Sequence, residues 1–130
     1  MAIDPSREVV VLPPSTQAPA IARDHASRLG TSWPPELLDV ILLVVSEAVT
    51  NAVRYGHGHI ELAIDVQPDR VRIEVSDANP QPPRTWASPD GLADGGRGLQ
   101  LIEALTDAWG TQPNADRSGK TVWLELITST

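Results

Sequence analysis

The chain of 130 residues contains no cysteine. Disulfides and thiolate metal sites are therefore excluded, and a reducing compartment is compatible with the composition. Histidine is sparse too: His25, His57 and His59 are too scattered for a zinc constellation. His57 and His59 could share a metal at a strand start, but paired loop histidines are more often simply solvated. Positive charge is scarce, with 10 Lys and Arg against 17 Asp and Glu and a formal charge of −7. Nonspecific nucleic-acid binding needs a basic surface, so no direct nucleic-acid partner is expected. Such a chain suits a partner with basic or neutral surface. No apolar run reaches the length of a membrane span, and Met1 is not followed by a basic and then apolar signal segment. These absences lead to the expectation of a cytoplasmic protein without membrane contact. The length suits one domain over residues 1–130, large enough for a core without covalent staples.

What is present has a clear order. Residues 1–7 carry no pattern and are expected to fray. Glu8 to Leu12 is short, β-branched and ended by Pro13-Pro14, which predicts an edge strand. Ser15 is the expected N-cap of a helix running to about Leu29, with Gly30 as its stop. Pro35 can open a second helix, from Glu36 to about Arg54. His59–Val66 and Arg70–Ser76 alternate apolar and polar residues, which predicts a hairpin with one face buried and one wet. Between Ala78 and Arg97 four prolines and repeated glycines rule out helix or ladder, and a loop of this length is functional or disordered. A short amphipathic helix follows over Leu99, Leu101, Ile102 and Leu105. Ala108-Trp109-Gly110 and Lys120–Ile127 complete the chain as strands. Hairpins with helices gathered between them predict a two-layer α+β sandwich. Trp33, Trp86, Trp109 and Trp123 lack the basic interleaving of a base-stacking platform, so core or lid packing is expected.

Two polar residues interrupt the apolar second helix. Glu47 and Asn51 are four apart and project from one face, one turn above the other. On an apolar helix such groups cost stability unless something pairs with them. Downstream come Asp77 after a strand, the run Gly95-Gly96-Arg97-Gly98-Leu99 before a helix, and Gly119-Lys120-Thr121 entering the last strand. This order resembles the GHKL ATPase superfamily, and within it the small single-domain anti-sigma-factor serine kinases of bacteria. The likeness runs from about Ser15 to Ile127, and its specific parts are Glu47-x-x-x-Asn51-Ala52 and Gly96-x-Gly98-Leu99.

The resemblance implies a two-layer sandwich of the GHKL (Bergerat) type, with a mixed, mostly antiparallel sheet, helices on one face, and residues 78–97 as an ATP lid. The implied cofactors are ATP and Mg2+. Asn51 would give the cation its amide oxygen, since magnesium takes oxygen ligands and keeps several waters. Glu47, near the γ-phosphate, would accept a proton from an attacking hydroxyl or orient a water. Asp77 can accept from the exocyclic amino group of adenine, whereas guanine presents a carbonyl at that edge. The family's motif continues Asp-x-Gly; here Ala78-Asn79-Pro80 follows, with Asn79 in the glycine's place. The amides of Gly96, Gly98 and Leu99 would meet phosphate, where free N–H groups and the helix dipole favour an anion. Arg54 and Arg97 are further phosphate candidates, and Thr121 matches a threonine near the adenine pocket.

Read through the resemblance, the chain is a protein serine/threonine kinase that sequesters a sigma factor and phosphorylates an anti-anti-sigma protein. Family members commonly form homodimers. The competing class is a binding module, nucleotide-responsive but without phosphoryl transfer, which the altered Asp77-Ala78-Asn79-Pro80 box favours. A sensor histidine kinase fragment is disfavoured, because no dimerisation helix bears a phospho-acceptor histidine.

Overall fold

A computed structural model describes residues 6–79, 96–114 and 118–128. Strand β1 (Ser6–Leu12) is followed by helices α1 (Ala18–Leu29) and α2 (Pro35–Tyr55) and by strands β2 (Ile60–Val66) and β3 (Arg70–Asp77). Helix α3 (Gly96–Leu105) and strands β4 (Ala108–Pro113) and β5 (Lys120–Ile127) complete the order. The five strands form one sheet in the order β1-β2-β3-β5-β4.

The expected mostly antiparallel sheet is found, and every pairing among the described strands is antiparallel, without the parallel pair a mixed sheet would have. The crossover through α3 makes β4 run parallel to β3, but β5 lies between them, so no parallel pair forms. Helices α1 and α2 pack together, and α2 also packs on α3, β3 and β2. The expected two-layer α+β architecture is the one found.

Alternation built the core. Ile60, Leu62, Ile64 and Val66 of β2 face inward with Val71, Ile73 and Val75 of β3 and Val122, Leu124 and Leu126 of β5. Ile41, Val44, Val45, Ala48 and Val49 of α2 close over them, all buried. Near-continuous apolar sequence in α2 is thus explained by packing on more than one side. Proline opens α2 as expected, Glu36 lies in its first turn and Arg54 in its last, each with the sign the helix dipole favours.

Several details differ from expectation. Ser6 and Arg7 are paired in β1 rather than frayed, because Val66 and Asp65 of β2 extend the ladder that far. Ser15 does not cap α1. The N-cap is Gln17, without a side-chain bond, and the Ser15 hydroxyl instead accepts from the Gln17 amide at 3.3 Å in the preceding turn. Gly96 to Leu99 form the first turn of α3 itself rather than a loop before it. The near end of the expected lid is tied down: the Ala78 amide donates to the His57 carbonyl at 2.9 Å. Residues 80–95, most of that lid, and Trp86 lie outside the described residues.

The outer face of the sheet is wet but ordered by charge. Arg72 donates to Glu74 at 2.9 Å and to Glu125 at 2.8 Å. Partial burial alone would push its pKa down; these two hydrogen bonds outweigh it and hold the guanidinium above its ordinary value. Arg72 also stacks on Trp123, 4.7 Å from the ring centroid, so this tryptophan serves the outer face and not the core. Trp33 is buried and Trp109 packs against the core, as expected.

Candidate functional site

Helix α2 presents Ala48, Asn51, Ala52 and Tyr55 along one face, at the spacing of successive turns. That face overlies the ends of β3 and β5, and Asp77, Lys120 and Val122 complete a narrow cleft. The two alanines keep the helix side open, while Asn51 and Asp77 bring polar atoms into a mostly apolar wall. Their exposures are 8% and 4%. Of the residues expected in a nucleotide site, Asn51 and Asp77 line this cleft together, and Asn79 bonds to Asp77 beside it.

Asn51 is incompletely satisfied. Among the described residues its buried Nδ2 has no hydrogen-bond partner. Burying an amide hydrogen donor without a partner typically costs about 1–3 kcal/mol. The two ends of an amide exchange on a flip, so the same geometry can present oxygen.

Asp77 is the last residue of β3 rather than the residue after it. Chain packing holds it from three directions. A Cβ added to Gly56 would strike both the Ala52 carbonyl and the Asp77 carboxyl group, so only glycine lets the end of α2 approach so closely. A Cβ at Gly119 would strike the Asp77 backbone. Asn79 closes the third side. Its amide donates to Asp77 Oδ1 at 2.7 Å, and its side-chain Nδ2 donates to the Tyr55 carbonyl at 2.8 Å. In place of the family's glycine, Asn79 thus stitches the strand end to α2.

The residue that sequence reading missed is Lys120. Asp77 and Lys120 are direct partners across β3 and β5 and share the inward face. Lys120 Nζ donates to Asp77 Oδ2 at 3.0 Å and Oδ1 at 3.1 Å, and to the Asn79 carbonyl at 3.3 Å. The side chains are 6% and 1% exposed. The signal was present in the alternation of β5: Lys120 has the parity of Val122, Leu124 and Leu126.

Thr121 has the opposite parity and faces away from the cleft. Its hydroxyl bonds to Ser76 Oγ at 2.7 Å and to Asn114 Oδ1 at 2.6 Å, on the outer side of the sheet. The expected adenine-pocket role is therefore corrected: the inward neighbour of Asp77 is Lys120. Arg54 is exposed and lies over the Tyr55 ring, 5.4 Å from its centroid. Glu47 is half-buried one turn before Asn51 and is not among the residues lining the cleft. Gly96, Arg97, Gly98 and Leu99 stand in the first turn of α3, and their side chains are outside the described residues. His57 and His59 are exposed. Among the described residues no helix is long and apolar enough to cross a membrane.

The histidine kinase-like ATPase domain family matches residues 14–126. The chain belongs to that family. Its relatives include the serine-protein kinase RsbW of Staphylococcus epidermidis, 34% identical over 98 residues, covering 62% of this chain and 60% of the relative. RsbW of Bacillus pumilus is 33% identical over 115 residues, covering 75% of this chain and 68% of that protein. The chain thus spans about 60% of the length of the first of these relatives. Among solved structures, that of the RsbU and RsbW domains of a Mycobacterium tuberculosis protein superposes with a TM-score of 0.72 at 21% identity. It covers 96% of this chain and 33% of that one, and establishes the shared fold. The GHKL resemblance and its anti-sigma-factor kinase branch agree with these relatives.

Proposed function

We propose that this domain binds ATP with magnesium in the cleft between α2 and the ends of β3 and β5. It would transfer the γ-phosphoryl group to a Ser or Thr hydroxyl of an anti-anti-sigma protein and sequester a sigma factor. The observation that carries this reading is the buried amide of Asn51, whose nitrogen has no partner among the described residues, in the same cleft as the buried carboxylate of Asp77. An amide oxygen suits magnesium, which takes hard oxygen ligands. Asp77 would accept from the amino group of adenine. Glu47, one turn from Asn51, would accept the proton of the attacking hydroxyl. The backbone amides of Gly96, Gly98 and Leu99 at the start of α3, with Arg97 and Arg54 nearby in sequence to the two helix ends, would steady the phosphates. When bound, ATP–Mg supplies the electrophilic phosphoryl group. The tie to RsbW-type serine-protein kinases supports kinase activity in particular.

Calorimetric titration of ATP with and without magnesium, on wild type and Asn51→Ala, tests the binding half. Magnesium-dependent binding that weakens in the variant is expected; equal affinity and equal metal dependence would remove Asn51 from the site. A radiolabelled transfer assay beside a sigma-factor pull-down tests the chemistry. Glu47→Gln should still bind ATP and the sigma factor but lose transfer by about 10²-fold or more.

One observation favours a second reading, a nucleotide-responsive binding module without transfer. The Asp77 carboxylate is already paired with Lys120. Wild type that binds its sigma factor but transfers no phosphate to its anti-anti-sigma partner would decide for that reading.

A further inference from the structure

The lysine on Asp77 bears directly on how a base reaches this cleft. All three contacts of the Lys120 ammonium point inward, to both Asp77 oxygens and to the Asn79 carbonyl. Asp77 Oδ1 also takes the Asn79 amide. The free volume left in the cleft is about 10 Å³, at the limit of what holds one water molecule. The ammonium stands on both Asp77 oxygens, where an adenine amino group would have to donate. Something must move, and the surroundings decide what. The space beside the Asp77 backbone and carboxyl group is so close that a Cβ at Gly119 or Gly56 would strike them, while Asn79 is bonded to the end of α2. Lys120, by contrast, carries its charge on a flexible four-carbon stem.

We propose that Lys120 sets the nucleotide affinity of this site, its ammonium holding the place on Asp77 that an adenine amino group would take. This rests on the ATP reading of the cleft and deepens it. Base binding then exchanges an ion pair, charged on both sides, for a hydrogen bond in which only the Asp77 carboxylate is charged, which is the weaker of the two. The wild-type site is consequently tuned to low affinity for adenine nucleotides. Its occupancy follows the position of a single side chain, and any partner that draws Lys120 outward would strengthen nucleotide binding.

The full-length chain is titrated with Mg-ATP, with adenosine and with tripolyphosphate, as wild type and as Lys120→Met. Methionine fills much of the stem's volume and removes the competing donor. ATP and adenosine should both bind at least about 10-fold tighter to the variant, by a similar factor, since one charge-assisted bond is no longer displaced. Tripolyphosphate binding should not tighten, because the effect lies at the base. Wild type that binds ATP while the variant binds no tighter would overturn the proposal and leave the ATP reading standing. No binding of ATP or adenosine by either protein would overturn both. A second measurement uses wild type alone, so it stands even if the variant misfolds. Lys120 is the sole lysine of the chain, so lysine-selective 15N labelling gives one side-chain resonance. Saturating ATP should convert it from a protected, ion-paired signal to that of a solvated ammonium. An unchanged signal with ATP bound would overturn the proposal.

Discussion

At Asp77 and Lys120 two charges are held out of water within 3.0 Å of each other. Their mutual attraction offsets desolvation only because further hydrogen bonds satisfy both ends, Asn79 supplying an amide to the carboxylate and a carbonyl to the ammonium. Removing one partner leaves the other buried without its counter-charge. Asp77→Asn should therefore destabilise the fold by about 3–5 kcal/mol, the usual scale for a broken buried pair. Urea unfolding of the variant measures this. The double variant Asp77→Asn with Lys120→Met should recover most of the loss, since no charge is then stranded. A single variant within 1 kcal/mol of wild type (roughly the worth of an exposed pair) would show that the two groups are solvated.

The β5 strand entrance places the pair as much as the side chains do. Gly119 is buried, and a Cβ there would strike the carbonyl of Asp77 and the backbone of Ala78. Backbone cannot swing aside as a lysine tip can, so a methyl group here must push β5 away from β3. Gly119→Ala should cost about 1–3 kcal/mol, the scale of overpacking, and should also loosen the Lys120–Asp77 contact. Denaturant melts give the first effect, and the lysine 15N resonance of the variant gives the second. A variant as stable as wild type with the resonance unmoved would mean that the two strand ends are not pressed together.

Among the described residues, one core joins helices α1, α2 and α3 to the inward face of the sheet. Ile73 lies at the centre of that sheet, fully buried, paired with Ile64 on one side and Leu124 on the other. Ile73→Ala should remove about 2–5 kcal/mol in a single cooperative transition, read as a lower urea midpoint at unchanged slope. Two separated transitions would show that helices and sheet unfold independently. The outer face contributes differently. Arg72, held above its ordinary pKa by Glu74 and Glu125, gives stability that is lost only as pH rises through that raised value, beyond the working range of the protein.

Local pattern determined the elements of this protein: period-two alternation made Arg70–Ser76 a half-buried strand, and helical spacing with Pro35 at its head made α2 a helix. Pattern also singled out Asn51 and Asp77, because a polar group on an apolar face or at the end of an inner strand stands out against its own neighbours. Ser15 differs from its expectation because its hydroxyl suits several nearby backbone partners and the sequence does not say which, whereas Thr121 followed a likeness of motif and stands on the other side of the strand. Strand parity puts Lys120 on the inward side of β5, but what it meets there appears only when β5 is paired with β3, since its partner is a carboxylate 43 positions away in the chain. Which strands are neighbours, and therefore that all of them are antiparallel, was likewise decided by the route of the chain through α3. Elements follow from short-range sterics and hydrophobic period. Which charge meets which carboxylate is a long-range fact, and packing alone decides it.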